Sequence, residues 1–258
     1  MNKLLLFIFS ILIISCSNEN KATKNGLRGN VKFVTEYDIN VAYDSLNKAS
    51  IDTLTIIKRT YNNKNQIIKR NQTYTFQEES MTILYEYNSF DELDKERVKM
   101  SFTNDTLDVN YIYKGLILEK TIAKSFLDSI EFNHIGLYYY NKNKKLIKNT
   151  FSQLAINLKE NDTLTNSLQT EYFNEKEILT ESTYKYIRKP TENCRYEYFY
   201  KSDDLVKTLE YDQNDSLIST MKFEYKKDKI GNDIKRETFT NNVLIAIKRW
   251  KITYDNTI

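Results

Sequence analysis

The chain has 258 residues, with 38 Lys and Arg against 35 Asp and Glu and a formal net charge of +3, the two signs interspersed. That balance offers no basic stripe to follow a nucleic-acid backbone, and five glycines supply no phosphate-cradling loop, so both readings are set aside. Twenty tyrosines and thirteen phenylalanines beside one proline favour strands and predict a mostly β chain.

At the start, Lys3, an apolar run from Leu4 to Ile14, and Ser15 lead into Cys16. A charged region, a short apolar stretch and a small residue fit a secretory signal, and about 11 apolar residues are too few to cross roughly 30 Å of hydrocarbon. Ile13-Ile14-Ser15-Cys16 is similar to the lipobox of bacterial lipoproteins. That similarity implies a signal peptide over residues 1–15, cleavage before Cys16, a diacylglyceryl thioether on its sulfur and a palmitate-type acyl group on the new amino terminus. Residues 16–26 then form the lipidated cysteine and a polar tether, whose roughly ten extended residues reach about 35 Å. Ser17 does not look like an inner-membrane retention signal. The expected location is the cell envelope, lipid-anchored at the outer membrane, on either face.

Residues 27–258 read as a single β-repeat domain. An aromatic is followed six residues later by Ile or Leu across a polar turn: Tyr61 to Ile67, Tyr87 to Leu93, Tyr140 to Leu146, Tyr172 to Ile178, Phe199 to Leu205 and Tyr211 to Leu217. A shorter version turns at Lys114-Gly115 after Tyr113. The period of about 26 residues marks an array. Asn- and Asp-rich turns such as Asn62 to Asn65 and Asp212 to Asp215 bond their own backbone and tolerate left-handed conformations, so each closes a hairpin. Further turns at Gln77 to Ser80, Thr103 to Thr106, Leu127 to Ser129, Glu160 to Thr163 and Lys189 to Asn193 divide each unit in two. About fourteen to seventeen strands follow, in an antiparallel meander of repeated hairpins, shaped as an extended twisted sheet, a solenoid-like array or an open barrel.

In Leu217 to Tyr225, Leu217, Met221, Phe223 and Tyr225 fall on one face, and Ile218, Thr220, Lys222 and Glu224 on the other. The same alternation aligns the pairs Tyr85/Tyr87, Tyr111/Tyr113, Tyr138/Tyr140, Tyr184/Tyr186 and Tyr196/Tyr198. These ten rings form either a cross-strand packing ladder or a binding face with apolar rings and hydroxyls suited to sugars.

Candidates for chemistry are few. His134 is the only histidine and has no neighbouring ligand, so no metal is expected. After lipidation of Cys16, Cys194 is the only remaining thiol, which rules out an intramolecular disulfide. The carboxylate pairs Glu78-Glu79 and Asp203-Asp204 fall in turns. Lys144-Lys145 and Lys226-Lys227 read as solvated turns or as contacts to lipid headgroups.

The mature part resembles a group of Bacteroidota lipoproteins of unknown function built from YD-like (RHS-like) repeats. Leu27-Arg28-Gly29-Asn30-Val31-Lys32 is similar to their first strand. Gly231-Asn232-Asp233-Ile234-Lys235-Arg236 and Arg249-Trp250-Lys251-Ile252-Thr253-Tyr254 are similar to their closing segment, with Asp233 in place of the usual Trp. The resemblance implies architecture and brings no catalytic residues.

The expected function is a noncatalytic binding or scaffold module, with no cofactor and no enzyme activity. Its partners are the membrane, through the lipid, and an envelope protein or a glycan. Glycan binding is the alternative, and a carboxylate-dependent hydrolase the weakest reading.

Overall fold

The structure, a computed structural model, describes residues 27–254 except 45, 102, 104, 105 and 128. The signal peptide, Cys16 and the tether therefore lie outside the described residues.

The strands are β1 (Val31–Tyr43), β2 (Ala49–Tyr61), β3 (Ile67–Tyr74), β4 (Glu79–Tyr87), β5 (Leu93–Met100), β6 (Thr106–Lys114), β7 (Ile117–Leu127) and β8 (Ile130–Tyr140). They continue with β9 (Leu146–Asn157), β10 (Asp162–Phe173), β11 (Leu179–Tyr186), β12 (Cys194–Lys201), β13 (Asp204–Tyr211), β14 (Leu217–Lys227), β15 (Asp233–Thr240) and β16 (Val243–Tyr254). Each strand pairs antiparallel with its neighbours in sequence, and β1 pairs with β16 from Val31↔Tyr254 to Asn40↔Ala246. The meander is the one read from the sequence, but the barrel is closed rather than open. Closure pairs the backbone groups that two free edges would leave exposed.

The repeat has a local cause. Seven turns begin at Asp44, Asn62, Asn88, Asn141, Asn174, Asp212 and Asp228, and in each the first side chain accepts the backbone N–H groups two and four residues on. The fourth residue is left-handed in all seven: Asn47, Asn65, Asp91, Lys144, Glu177, Asp215 and Gly231. The strand entering most of these turns carries a bulge at its last aromatic, as at Tyr61, Tyr87, Tyr140 and Tyr211. Bulge and turn together produce the aromatic-to-Leu spacing. Two of the sequence pairings shift by one: the residues that face each other are Phe173↔Leu179 and Tyr200↔Leu205. Asn174, and not Phe173, opens the former turn because only its side chain reaches Lys176 and Ile178.

Inner-face side chains fill the barrel along β1–β9. Ile67, Ile83, Val98, Val109 and Ala155 are buried, and so are the polar Arg70, Gln72, Glu96 and His134. A water-filled lumen would leave these side chains wet, so this part of the interior is packed shut. Along β10–β15 the inner face is looser, with Tyr184, Tyr196, Tyr198 and Tyr225 half-buried. Met221, Phe223 and Tyr225 share the inner face as expected, whereas Leu217 sits at the bulge beside Tyr211 and is exposed.

Candidate binding surface

All ten paired tyrosines stand on the inner wall. Tyr85 lies opposite Glu96, Tyr111 opposite Thr121, Tyr138 opposite Asn149, and Tyr184 opposite Cys194. The second member of each pair from β4, β6 and β8 is tied down: Tyr87 donates to the Ile67 carbonyl at 2.7 Å, Tyr113 to Leu93 at 2.9 Å and Tyr140 to Leu118 at 2.9 Å. Burial raises the pKa of these three phenols. Three more of the hydroxyls bind within the wall, Tyr111 to Glu96 at 2.6 Å, Tyr196 to Glu210 at 2.7 Å and Ser182 with Tyr198 at 2.8 Å. Tyr184 meets Tyr196 edge to face at 5.7 Å, so the ladder predicted from the spacing is a packed one.

The other candidates are dispersed. His134 is stacked on Phe151 at 5.8 Å, and burial holds its imidazole down to about 4, neutral at physiological pH. Cys194 is half-buried, and burial pushes its thiol up. Glu78 and Asp203 lie in turns at opposite ends of the barrel, so the two carboxylate pairs cannot combine. Among the described residues, no group of three His, Cys, Asp or Glu is placed to hold a metal.

The outer wall is charged at mid-strand. Lys58, Arg97, Lys124, Lys185, Lys222 and Arg249 project from it, and Lys95 and Arg97 bind Asp108 at 2.5 and 3.2 Å. A bilayer-spanning barrel needs an apolar band there, each Lys or Arg at the midplane costing about 2–4 kcal/mol, so this wall is built for water.

Apolar side chains also reach this wall, singly at Leu84, Phe199 and Ile218 and as a group on β6–β10. Cross-strand pairing sets Ile122 beside Ile135, Ser152 and Leu168, then Ile112 beside Lys120, Leu137, Thr150 and Thr170, then Tyr139 beside Lys148 and Tyr172. Ile112, Ile135, Leu137, Tyr139, Leu168 and Tyr172 are each between 37% and 43% exposed, with Lys120, Ser152, Thr150 and Lys148 set between them on the neighbouring strands. Lys148 Nζ lies 5.4 Å from the Tyr139 ring and 5.7 Å from the Tyr172 ring, so its stem adds to the apolar cover. Exposed apolar side chains gathered across β6–β10 are a feature that interaction surfaces use. Ring-by-ring reading of the tyrosine pairs misses it, but the run Ile135-Gly136-Leu137-Tyr138-Tyr139-Tyr140 carries the signal, being apolar on both faces of one strand.

No protein-family model matches the chain, and no curated protein matches it. Among solved structures it is similar to a porin-like protein from Bacteroides uniformis ATCC 8492, at 11% identity and a TM-score of 0.54, over 86% of this chain and 98% of that one. It is also similar to a porin-like protein from Bacteroides vulgatus ATCC 8482, at 12% identity and a TM-score of 0.52, over 89% of this chain and 100% of that one. At such identities the likeness is one of fold.

Proposed function

We propose that the chain is a lipid-anchored cell-envelope protein whose noncatalytic work is to hold another protein against the outer patch of β6–β10. The group of exposed Ile112, Ile135, Leu137, Tyr139, Leu168 and Tyr172 across β6–β10 carries this reading. The lipobox-like Ile13 to Cys16 supports the anchor, and the two porin-like neighbours fit an envelope setting. A conducting pore finds no support in a lumen packed by Ile67, Ile83, Val98 and Glu96. Glycan binding loses its proposed platform, because the tyrosine rows face inward.

The test is crosslinking and pull-down from intact cells with the native chain, Cys16→Ala and Leu137→Asp. One or two envelope proteins should be captured by the native chain and lost from Leu137→Asp. Capture of the same proteins by Leu137→Asp at native levels would overturn the patch as the docking site. Unchanged capture and membrane fractionation of Cys16→Ala would overturn the anchor.

A further inference from the structure

In a closed antiparallel meander the even-to-odd turns all lie at one rim, the rim where Leu27 enters and Tyr254 ends. The entry is fixed there: Arg28 N donates to Asn232 Oδ1 at 2.5 Å, and Asn232 Nδ2 donates to the Arg28 carbonyl at 3.0 Å. Residues 1–26 therefore join the barrel at this rim.

On the same rim, two neighbouring hairpins present bare apolar tips, Phe90 between β4 and β5 at 72% exposure and Leu116 between β6 and β7 at 75%. Lys114 flanks Leu116, and the next turn, between β8 and β9, carries exposed Lys142, Lys144 and Lys145. Lys145 Nζ donates to the Glu175 carbonyl at 2.7 Å, a neutral partner that leaves its charge in place. Of the acidic groups on this arc, Asp91 pairs with Lys64 at 2.6 Å, whereas Glu92 meets only the neutral Asn88 amide at 3.0 Å and Glu119 is exposed, so the lysines of the β8–β9 turn stand beside two carboxylates that keep their charge. The structure also separates the two lysine pairs of the sequence, since Lys227 binds Asp204 and Asp233 at 2.8 Å each. The opposite rim is mixed: Asp44, Glu78, Glu160 and Asp212 stand beside exposed Lys48, Lys159 and Lys189, Asp162 pairs with Arg188 at 3.0 Å and Asp215 with Arg195 at 2.8 Å, and Leu46 and Phe76 are also bare, so it is the entry of the chain that singles out the first rim.

We propose that the arc from Phe90 to Lys145 rests on the anionic headgroups of the membrane, with Phe90 and Leu116 entering the interfacial layer and the lysines above them. Apolar tips beneath a cluster of basic side chains match that layer in both polarity and charge. This rests on the anchored reading of Cys16, which tethers the same rim within about 35 Å of the bilayer. It orients the barrel upright, with the opposite rim turned away and the β6–β10 patch open to the side.

The test uses the full, lipidated chain carrying Cys194→Ser and one new cysteine, at Phe90, at Leu116 or, on the opposite rim, at Phe76. Each is labelled with an environment-sensitive dye and reconstituted into phosphatidylethanolamine vesicles holding about 30% phosphatidylglycerol as the anionic lipid. The dye at 90 and 116 should shift to the blue and be quenched by spin-labelled lipid, while the dye at 76 should not. Changing Lys142, Lys144 and Lys145 to Gln should lower the docked-to-undocked ratio about fivefold per lysine. Equal quenching at 76, 90 and 116, or a response at 90 and 116 only when envelope protein is added, would overturn the proposal. A dye on Cys16 with no fatty-acid label would instead overturn the anchored reading, and the proposal with it.

Discussion

Glu36 joins the first and last strands and is the sharpest place to test the closure. Its carboxylate accepts from Arg59 Nη1 at 2.8 Å on β2, and from Lys248 Nζ at 2.5 Å and Trp250 Nε1 at 2.9 Å on β16. Burial opposes the charged form, but Arg59 and Lys248 outweigh it and hold the carboxyl far below the usual carboxylate range. Glu36→Gln keeps the shape and an acceptor for Trp250 while removing the charge that faces Arg59, whose side chain is 7% exposed. Breaking a buried pair from one side costs about 3–5 kcal/mol, and the low end applies because Lys248 retains Asp38 at 3.1 Å. The expected loss is about 3 kcal/mol, roughly a 150-fold shift toward the unfolded state. Urea titration of the native chain, Glu36→Gln, Arg59→Met and the double variant measures it, and the cycle should show a coupling above about 1.5 kcal/mol. Because the folded pKa lies below the unfolded one, the contribution is full above about pH 4.5 and disappears as the pH falls further. A loss under about 1 kcal/mol with no coupling would refute the account of the seam as an ion-paired closure.

His134 gives a second pH dependence: its pKa drops from 6.5 to about 4 on folding, so stability is full above pH 6.5 and falls by about 3 kcal/mol as the pH drops to 4. His134→Leu should flatten urea midpoints between pH 6.5 and 4.5, leaving the Glu36 contribution at lower pH. At Gly136, an added Cβ would collide with the Thr121 hydroxyl and meet the Phe151 ring at 3.0 Å, so Gly136→Ala should cost about 1–3 kcal/mol in thermal unfolding. Lys144 is exposed and left-handed at φ 60°, and Lys144→Gly should stabilise the barrel by about 0.5–1 kcal/mol in the same assay.

Much of this fold is local and therefore legible. Asn62, Asn88, Asn141 and Asp212 each form their turn with their own side chain, and the aromatic before each one sits at the bulge, so turn positions follow from short stretches of chain. Alternation puts Tyr85 with Tyr87, and Tyr138 with Tyr140, on one face of their own strand, whereas the register that sets Tyr85 opposite Glu96, Val109 opposite Ala123 and Ala123 opposite His134 comes from the paired strands. The pair Phe173↔Leu179 lies one residue beyond the spacing from Tyr172 to Ile178, because two adjacent aromatics and two adjacent aliphatics satisfy that spacing equally well.

By itself, then, the sequence determined an antiparallel meander of about fourteen to seventeen strands and most of its turns, since neighbours in the chain pair with neighbours. Only the tertiary structure decided that β1 meets β16, that the tyrosine face turns inward, and that Ile135, Leu137 and Tyr139 stay outside. Those outcomes depend on contacts such as Glu36 with Trp250, 214 residues apart, where complementarity is set by three-dimensional fit. Apolar residues on both faces of β8 cannot declare which side is the core until the ring closes around one of them.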